Sequence, residues 1–142
     1  MTISRDDELE KLRAIGRIVA NVLRDMQAAV RPGMTTGELD AIGTKLLEAA
    51  GARSAPQVTY GFPGATCISV NEQIAHGIPG ARVIAEGDLV NIDVSAERDG
   101  YFGDTGASMV VGTAEARLAR LTRDGKRALW TGIGQVKAGA KL

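Results

Sequence analysis

Two aspartates and one histidine are the residues of this chain best suited to chemistry. Asp93 and Asp104 lie in two β-rich runs, Asp88–Ser95 and Tyr101–Val111, on either side of Asp99-Gly100. An Asp-Gly step between such runs predicts a two-residue hairpin loop. With Asp99-Gly100 at the tip, Arg98 pairs with Tyr101 and Asp93 lies diagonal to Asp104; with Arg98-Asp99 at the tip, Asp93 directly opposes Asp104. Either register brings both carboxylates to one face, with Cβ atoms about 4.5–8 Å apart. A three-residue loop or an added bulge would separate them. Opposed carboxylates repel, so a fold that keeps them together pairs them with cations, shares a proton between them or binds a metal. Bridging carboxylates suit a two-metal centre with ions ~3.5–4 Å apart. The plainer reading is that one of the two merely supports the turn.

His76 is the sole histidine, in Asn71-Glu-Gln-Ile-Ala-His-Gly-Ile-Pro-Gly80. A histidine among small and apolar residues is commonly a satisfied core or turn group. Here Gly77, Pro79 and Gly80 form a rigid turn that can present it at a cleft rim, where a near-neutral pKa suits proton transfer or a hydrogen bond to a carbonyl.

The elements that must hold these residues are legible from periodicity. Ser4 with Asp7 resembles a capping box that opens a helix with Leu12, Ile15, Val19, Val22 and Met26 on one face, ending at Arg31-Pro32-Gly33. Thr35 with Glu38 is a second capping box, followed by Leu39, Ile42 and Leu46, which predicts a helix near 37–50 stopped by Gly51. From 52 to 112 short β-rich runs, including Ala65–Val70, are broken by glycine; nine of the 18 glycines lie between Gly61 and Gly112, where tight turns are needed. From Thr113 the pattern is helical again, with Leu118, Leu121, Leu129, Ile133 and Val136, although Gly125, Gly132 and Gly134 weaken it. Leu12, Ile15, Leu23, Val30, Arg31 and Gly33 line up with Leu118, Leu121, Leu129, Val136, Lys137 and Gly139, as if a second helix-led unit began near residue 113. The expected class is α+β, with residues 1–142 forming one domain.

Composition narrows the partners. The 142 residues carry 17 Lys+Arg against 17 Asp+Glu, so the whole-chain charge offers no footprint for nucleic acid, DNA included, or for an anionic membrane and favours small ligands or polypeptides. Cys67 is the lone cysteine, which excludes an internal disulfide and any cysteine-built metal site. The N-terminus is polar and acidic, unlike a signal peptide, and no apolar run approaches the ~18 residues of a membrane span. A cytoplasmic location is expected.

Asn71 through Gly80, together with Gly87-Asp-Leu-Val-Asn-Ile-Asp-Val94 and Asp99-Gly-Tyr-Phe-Gly-Asp-Thr105, resembles bacterial type I methionine aminopeptidases, and the likeness runs from the first helix through Val-Arg-Pro-Gly33 and Gly61-Phe-Pro63 to Val-Lys-Ala-Gly139. The resemblance implies a pita-bread fold, of which this chain holds the first pseudo-symmetric half and the start of the second. It implies removal of the initiator methionine from nascent proteins, with two divalent ions (cobalt, manganese, iron or zinc) as cofactors. By the same resemblance Asp93 is a bidentate and Asp104 a bridging metal ligand, and His76 contacts the scissile amide. Phe62 and Cys67 line the pocket for the methionine side chain, and Ser95 is a hydroxyl beside the metals. The family's other ligands, one His and two Glu, belong to a second half. The chain is therefore expected to be truncated at its C-terminal side, inactive alone, and to need a complementary C-terminal half as partner.

Two rival readings stand beside this one. Asp104-Thr105-Gly106 also matches the Asp-Thr-Gly signature of aspartic proteases, which are nearly all-β, whereas the first 50 residues here read as helical. The other rival is a non-catalytic pita-bread-type binding or assembly module.

Overall fold

The computed structural model describes residues 3–140. Helix α1 (Asp6–Ala29) buries Ile15, Val19, Val22, Leu23 and Met26 along one stripe. Each such side chain, fully buried, contributes about 1.5–3 kcal/mol. Its start differs from the sequence expectation, because the residue that closes the first turn is Glu8. The Glu8 carboxylate accepts from the amides of Ser4 at 2.8 Å and Arg5 at 3.1 Å, while Asp7 pairs with the Arg5 guanidinium. The helix begins one residue later than the Ser4–Asp7 reading requires, and the glutamate has the reach to turn back on it. Helix α2 (Thr36–Ala49) has the expected box: the Thr35 amide donates to Glu38 Oε2 at 2.7 Å and the Glu38 amide to Thr35 Oγ1 at 3.1 Å.

A two-residue strand β1 (Arg53–Ser54) then leads into α3 (Ala55–Tyr60), a single short helix capped by Ser54, with proline in its first turn and Gly61 at φ +70° behind it. Strands β2 (Cys67–Val70), β3 (Leu89–Arg98) and β4 (Tyr101–Val110) follow, and α4 (Ala116–Ile133) closes the order. The hairpin is longer than the run ending at Ser95 suggested, and β2 begins two residues after Ala65.

β3 is the centre of an antiparallel sheet. β4 lies along one edge; β2 and β1 share the other end to end, with Cys67 opposite Asp93, Val70 opposite Val90, and Ser54 opposite Ala96. Alternation does the sorting: Val90, Ile92, Val94 and Ala96 are all fully buried in the core with α1 and α2, while Asn91, Asp93 and Ser95 turn to the opposite face. Gly103 lets α1 settle onto β4, since a Cβ there would lie 3.1–3.2 Å from Ile15 atoms.

The echo between the two ends of the chain extends to the backbone. Gly33 after α1 and Gly139 after α4 both have positive φ, +90° and +79°. The two helices differ in their setting: α1 is covered along its stripe, whereas Leu121, Leu129 and Ile133 of α4 are exposed. Among the described residues no helix is long and apolar enough to cross a membrane.

Candidate metal centre

The hairpin tip is Asp99-Gly100, with φ of +55° and +82°, the two left-handed residues of a type I′ turn. Arg98 pairs with Tyr101, so Ser95 stands opposite Asp104 and Asp93 opposite Gly106. The alternative tip at Arg98-Asp99 is thereby excluded, and the two carboxylates are diagonal neighbours. Ser95 Oγ donates to Asp104 Oδ1 at 2.7 Å. Because β2 pairs Cys67 with Asp93, the thiol joins the same face.

His76 arrives from a different direction. Its loop is pinned against β2, where the Ile68 amide donates to the Gly77 carbonyl at 2.9 Å and the Gly77 amide donates to Ser69 Oγ at 3.1 Å. The approach is so close that a Cβ on residue 77 would sit 2.2 Å from the Ile68 carbonyl oxygen. His76 itself has φ +52°, a conformation costing of order 1–3 kcal/mol that persists only where the surroundings enforce it. The far end of the loop is tied to the start of α2: the Gly37 amide donates to the Gly80 carbonyl at 2.9 Å and the Thr36 amide to the Arg82 carbonyl at 2.8 Å.

These placements enclose a cleft of about 220 Å³ lined by Pro56, Tyr60, Cys67, His76, Asp93, Ser95 and Asp104. Five residues singled out from sequence thus meet in one place. Phe62 is not among the lining residues; its ring meets that of Tyr60 edge-on, with centroids 6.3 Å apart. Sequence reasoning missed Pro56 and Tyr60, because a six-residue helix is too short to show a stripe. It also missed Asp40, whose carboxylate accepts from the Ala65 amide at 3.1 Å, the Thr66 amide at 2.8 Å and Thr66 Oγ1 at 2.7 Å. That clamp fixes the segment carrying Phe62 and delivers Cys67 to the cleft. Its only signal in the sequence was an acid beside the buried stripe of α2.

The electrostatics fit a cation. Burial, then the charge of Asp104 and a hydrogen bond with it, push Asp93 up to about 6, against a smaller opposing pull from His76. Burial, then the charges of Asp93, Asp40 and Asp104, push the Cys67 thiol up to about 11, so it is a neutral, soft wall and no thiolate. Two hard oxygen donors that repel across a half-buried cleft suit a divalent ion, which would relieve both the repulsion and the desolvation. The pair does not complete a coordination shell: among the described residues no group of three or more His, Cys, Asp or Glu could hold a metal.

Comparison with known proteins agrees with this reading. The sequence matches the description of metallopeptidase family M24 over residues 10–142. Methionine aminopeptidase 2 of Bacillus subtilis is 49% identical over 99% of this chain, and methionine aminopeptidase of Staphylococcus epidermidis is 52% identical over 100% of it. The chain spans 57% of the length of each of these relatives. Among solved structures, methionine aminopeptidase from Thermotoga maritima superposes with a TM-score of 0.91 at 31% identity, over 96% of this chain and 55% of that one. A Xaa-Pro dipeptidase from Bacillus anthracis, at 22% identity and TM-score 0.83 over 97% of this chain and 38% of that one, shares the fold. The architecture is the pita-bread fold, the carboxylate hairpin lies within the matched region, and the chain belongs to metallopeptidase family M24.

Proposed function

We propose that this chain supplies the first half of the active site of a metal-dependent aminopeptidase that removes N-terminal methionine from nascent polypeptides in the cytoplasm. The observation that carries the reading is the cleft shared by Asp93 and Asp104, in which Asp93 is pushed up to about 6. The methionine aminopeptidases that match it over 99–100% of its length support the substrate class.

In this reading Asp93 and Asp104 hold the metals through carboxylate oxygens. Two divalent ions bound there, cobalt, manganese, iron or zinc, would supply Lewis-acid polarisation of the scissile carbonyl and would acidify water. Ser95 holds the Asp104 carboxylate in one rotamer through its 2.7 Å hydrogen bond, which leaves the other oxygen free to ligate. His76, rigidly presented at the rim, hydrogen-bonds the scissile amide and stabilises the tetrahedral intermediate. Cys67 lines the methionine pocket, with Phe62 backing it through the Tyr60 ring, and a neutral thiol and aromatic rings suit a thioether. The remaining ligands come from a complementary C-terminal half, and the 142 residues alone are inactive.

The test combines the purified chain with the C-terminal half of the Bacillus subtilis relative, with added manganese or cobalt, and follows methionine release from a Met-Ala-Ser peptide. Release is expected from the combination and is lost in Asp104→Asn; undiminished release by that variant overturns the ligand assignment. Turnover by the chain alone, with contamination excluded, overturns the half-site reading.

A further inference from the structure

The zero net charge of the chain conceals a strong segregation. α4 holds five Lys/Arg and one Asp, leaving 12 Lys/Arg against 16 Asp/Glu in the rest of the sequence. Within α4 the spacing Arg120, Arg123, Arg127, Trp130 runs three, four, three. At 3.6 residues per turn this puts three guanidinium groups and an indole in one arc of about 80°, over about 15 Å of helix. All four side chains are exposed, and Trp130, the only tryptophan, is 60% exposed. Arg120 and Arg123 share the single carboxylate of Asp124, at 3.3 and 3.8 Å, which orders them without neutralising both. Arg120, Arg123 and Arg127 flank an open groove that also takes in Asp124, Ala128 and Thr131.

We propose that this face of α4 binds single-stranded nucleic acid. Three cations in a row fit successive backbone phosphates, and an exposed aromatic ring at the end of the row offers a stacking platform for a base. The arrangement disfavours a lipid surface. A helix lying in a membrane interface carries its aromatic residues with the leucines, opposite the cations, but here Trp130 lies in the cationic arc, about 100–120° from Leu118 and Leu129 by the same helical geometry. Arg123, Arg127 and Trp130 are not among the residues that line the groove of Leu118 and Leu121. Whole-chain neutrality, taken from the sequence as an argument against nucleic acid, does not hold for this helix.

The test uses the chain as it is, because the binding face is independent of the metal centre. A labelled 12-nucleotide RNA, a DNA of the same sequence and phosphatidylserine vesicles are titrated, following anisotropy for the oligonucleotides, co-sedimentation for the vesicles, and Trp130 emission throughout. Oligonucleotide binding is expected to quench Trp130. It should weaken about twentyfold between 50 and 200 mM salt, as three phosphate contacts to a single strand require. The exposed reversal Arg123→Glu with Arg127→Glu should weaken it at least tenfold and flatten the salt dependence, and Trp130→Ala should weaken it at least about fivefold. Circular dichroism shows whether the variants keep the parent fold. Binding to RNA but not DNA, or the reverse, identifies the physiological strand. Binding unaffected by either variant, absence of quenching, or binding to vesicles but not oligonucleotides overturns the proposal.

Discussion

Asp93→Asn should make this protein more stable, and only at neutral pH. In the folded chain the Asp93 carboxyl is raised from 3.8 to about 6, by burial first and by Asp104 second. That rise corresponds to ~3 kcal/mol, and solvent screening at this half-exposed site reduces it to about 1–2 kcal/mol. The sign follows from linkage: a group whose folded pKa is raised stabilises the fold below its unfolded pKa, and that contribution is lost as pH rises through about 6. At pH 7.5 the ionised Asp93 is therefore a burden that asparagine removes, while its amide can still donate to Asp104 as the protonated acid does. Urea unfolding followed by circular dichroism, in chelator, should show the variant ahead of the parent by about 1–2 kcal/mol at pH 7.5 and level with it near pH 4. No gain at pH 7.5, or an equal gain at both pH values, would mean that ionised Asp93 does not burden the fold. Asp104→Asn should give a smaller gain, because burial, which it leaves in place, is the larger cause.

Gly77→Ala drives a methyl group to 2.2 Å from the Ile68 carbonyl oxygen; it should cost about 3 kcal/mol in urea melts and shift the His76 ring resonances in proton NMR. Asp40→Ala removes the acceptor of three hydrogen bonds to Ala65 and Thr66, leaving two backbone amides to find other partners. A loss of about 2–3 kcal/mol is expected, with faster hydrogen exchange at those two amides; unchanged exchange would count against the clamp. Gly100→Ala, at φ +82°, should cost about 1 kcal/mol by calorimetry. In the combined halves, manganese affinity measured by calorimetry should fall as pH drops through about 6, because Asp93 must lose its proton to ligate.

What the sequence revealed and what it hid divide along a physical line. The capping box of Thr35 and Glu38, the stripe of α1 and the Asp-Gly turn are signals carried within a few residues, and each appears in the fold within one or two positions of its expected place. The turn alone left two registers open; pairing with β1 and β2 on one side and the close approach of Ile15 to Gly103 on the other accompany the one adopted. Asp40 was invisible because its partners lie 25 and 26 residues away and are two backbone amides and one hydroxyl, which no local side-chain pattern announces. Tyr60 was missed for a related reason: α3 follows from Ser54 and the αL glycine at 61, and only tertiary pairing of β1 to β3 turns it toward the cleft. Phe62 was assigned to the cleft through resemblance; it meets the cleft through Tyr60.

The ten-residue ladder from Leu89–Val110 to Arg98–Tyr101 also has a meaning in time. Hairpins with a strong two-residue turn close on the scale of microseconds, far sooner than sheets that need distant partners. Asp93 and Asp104 are diagonal neighbours within that hairpin, so its closure alone brings the two acids together, whatever else has docked. Their repulsion opposes that closure, most strongly where both are ionised. A mildly acidic medium, or a free divalent cation captured by the nascent hairpin, would ease the step. The same pair thus ties closure of the hairpin to proton and cation supply.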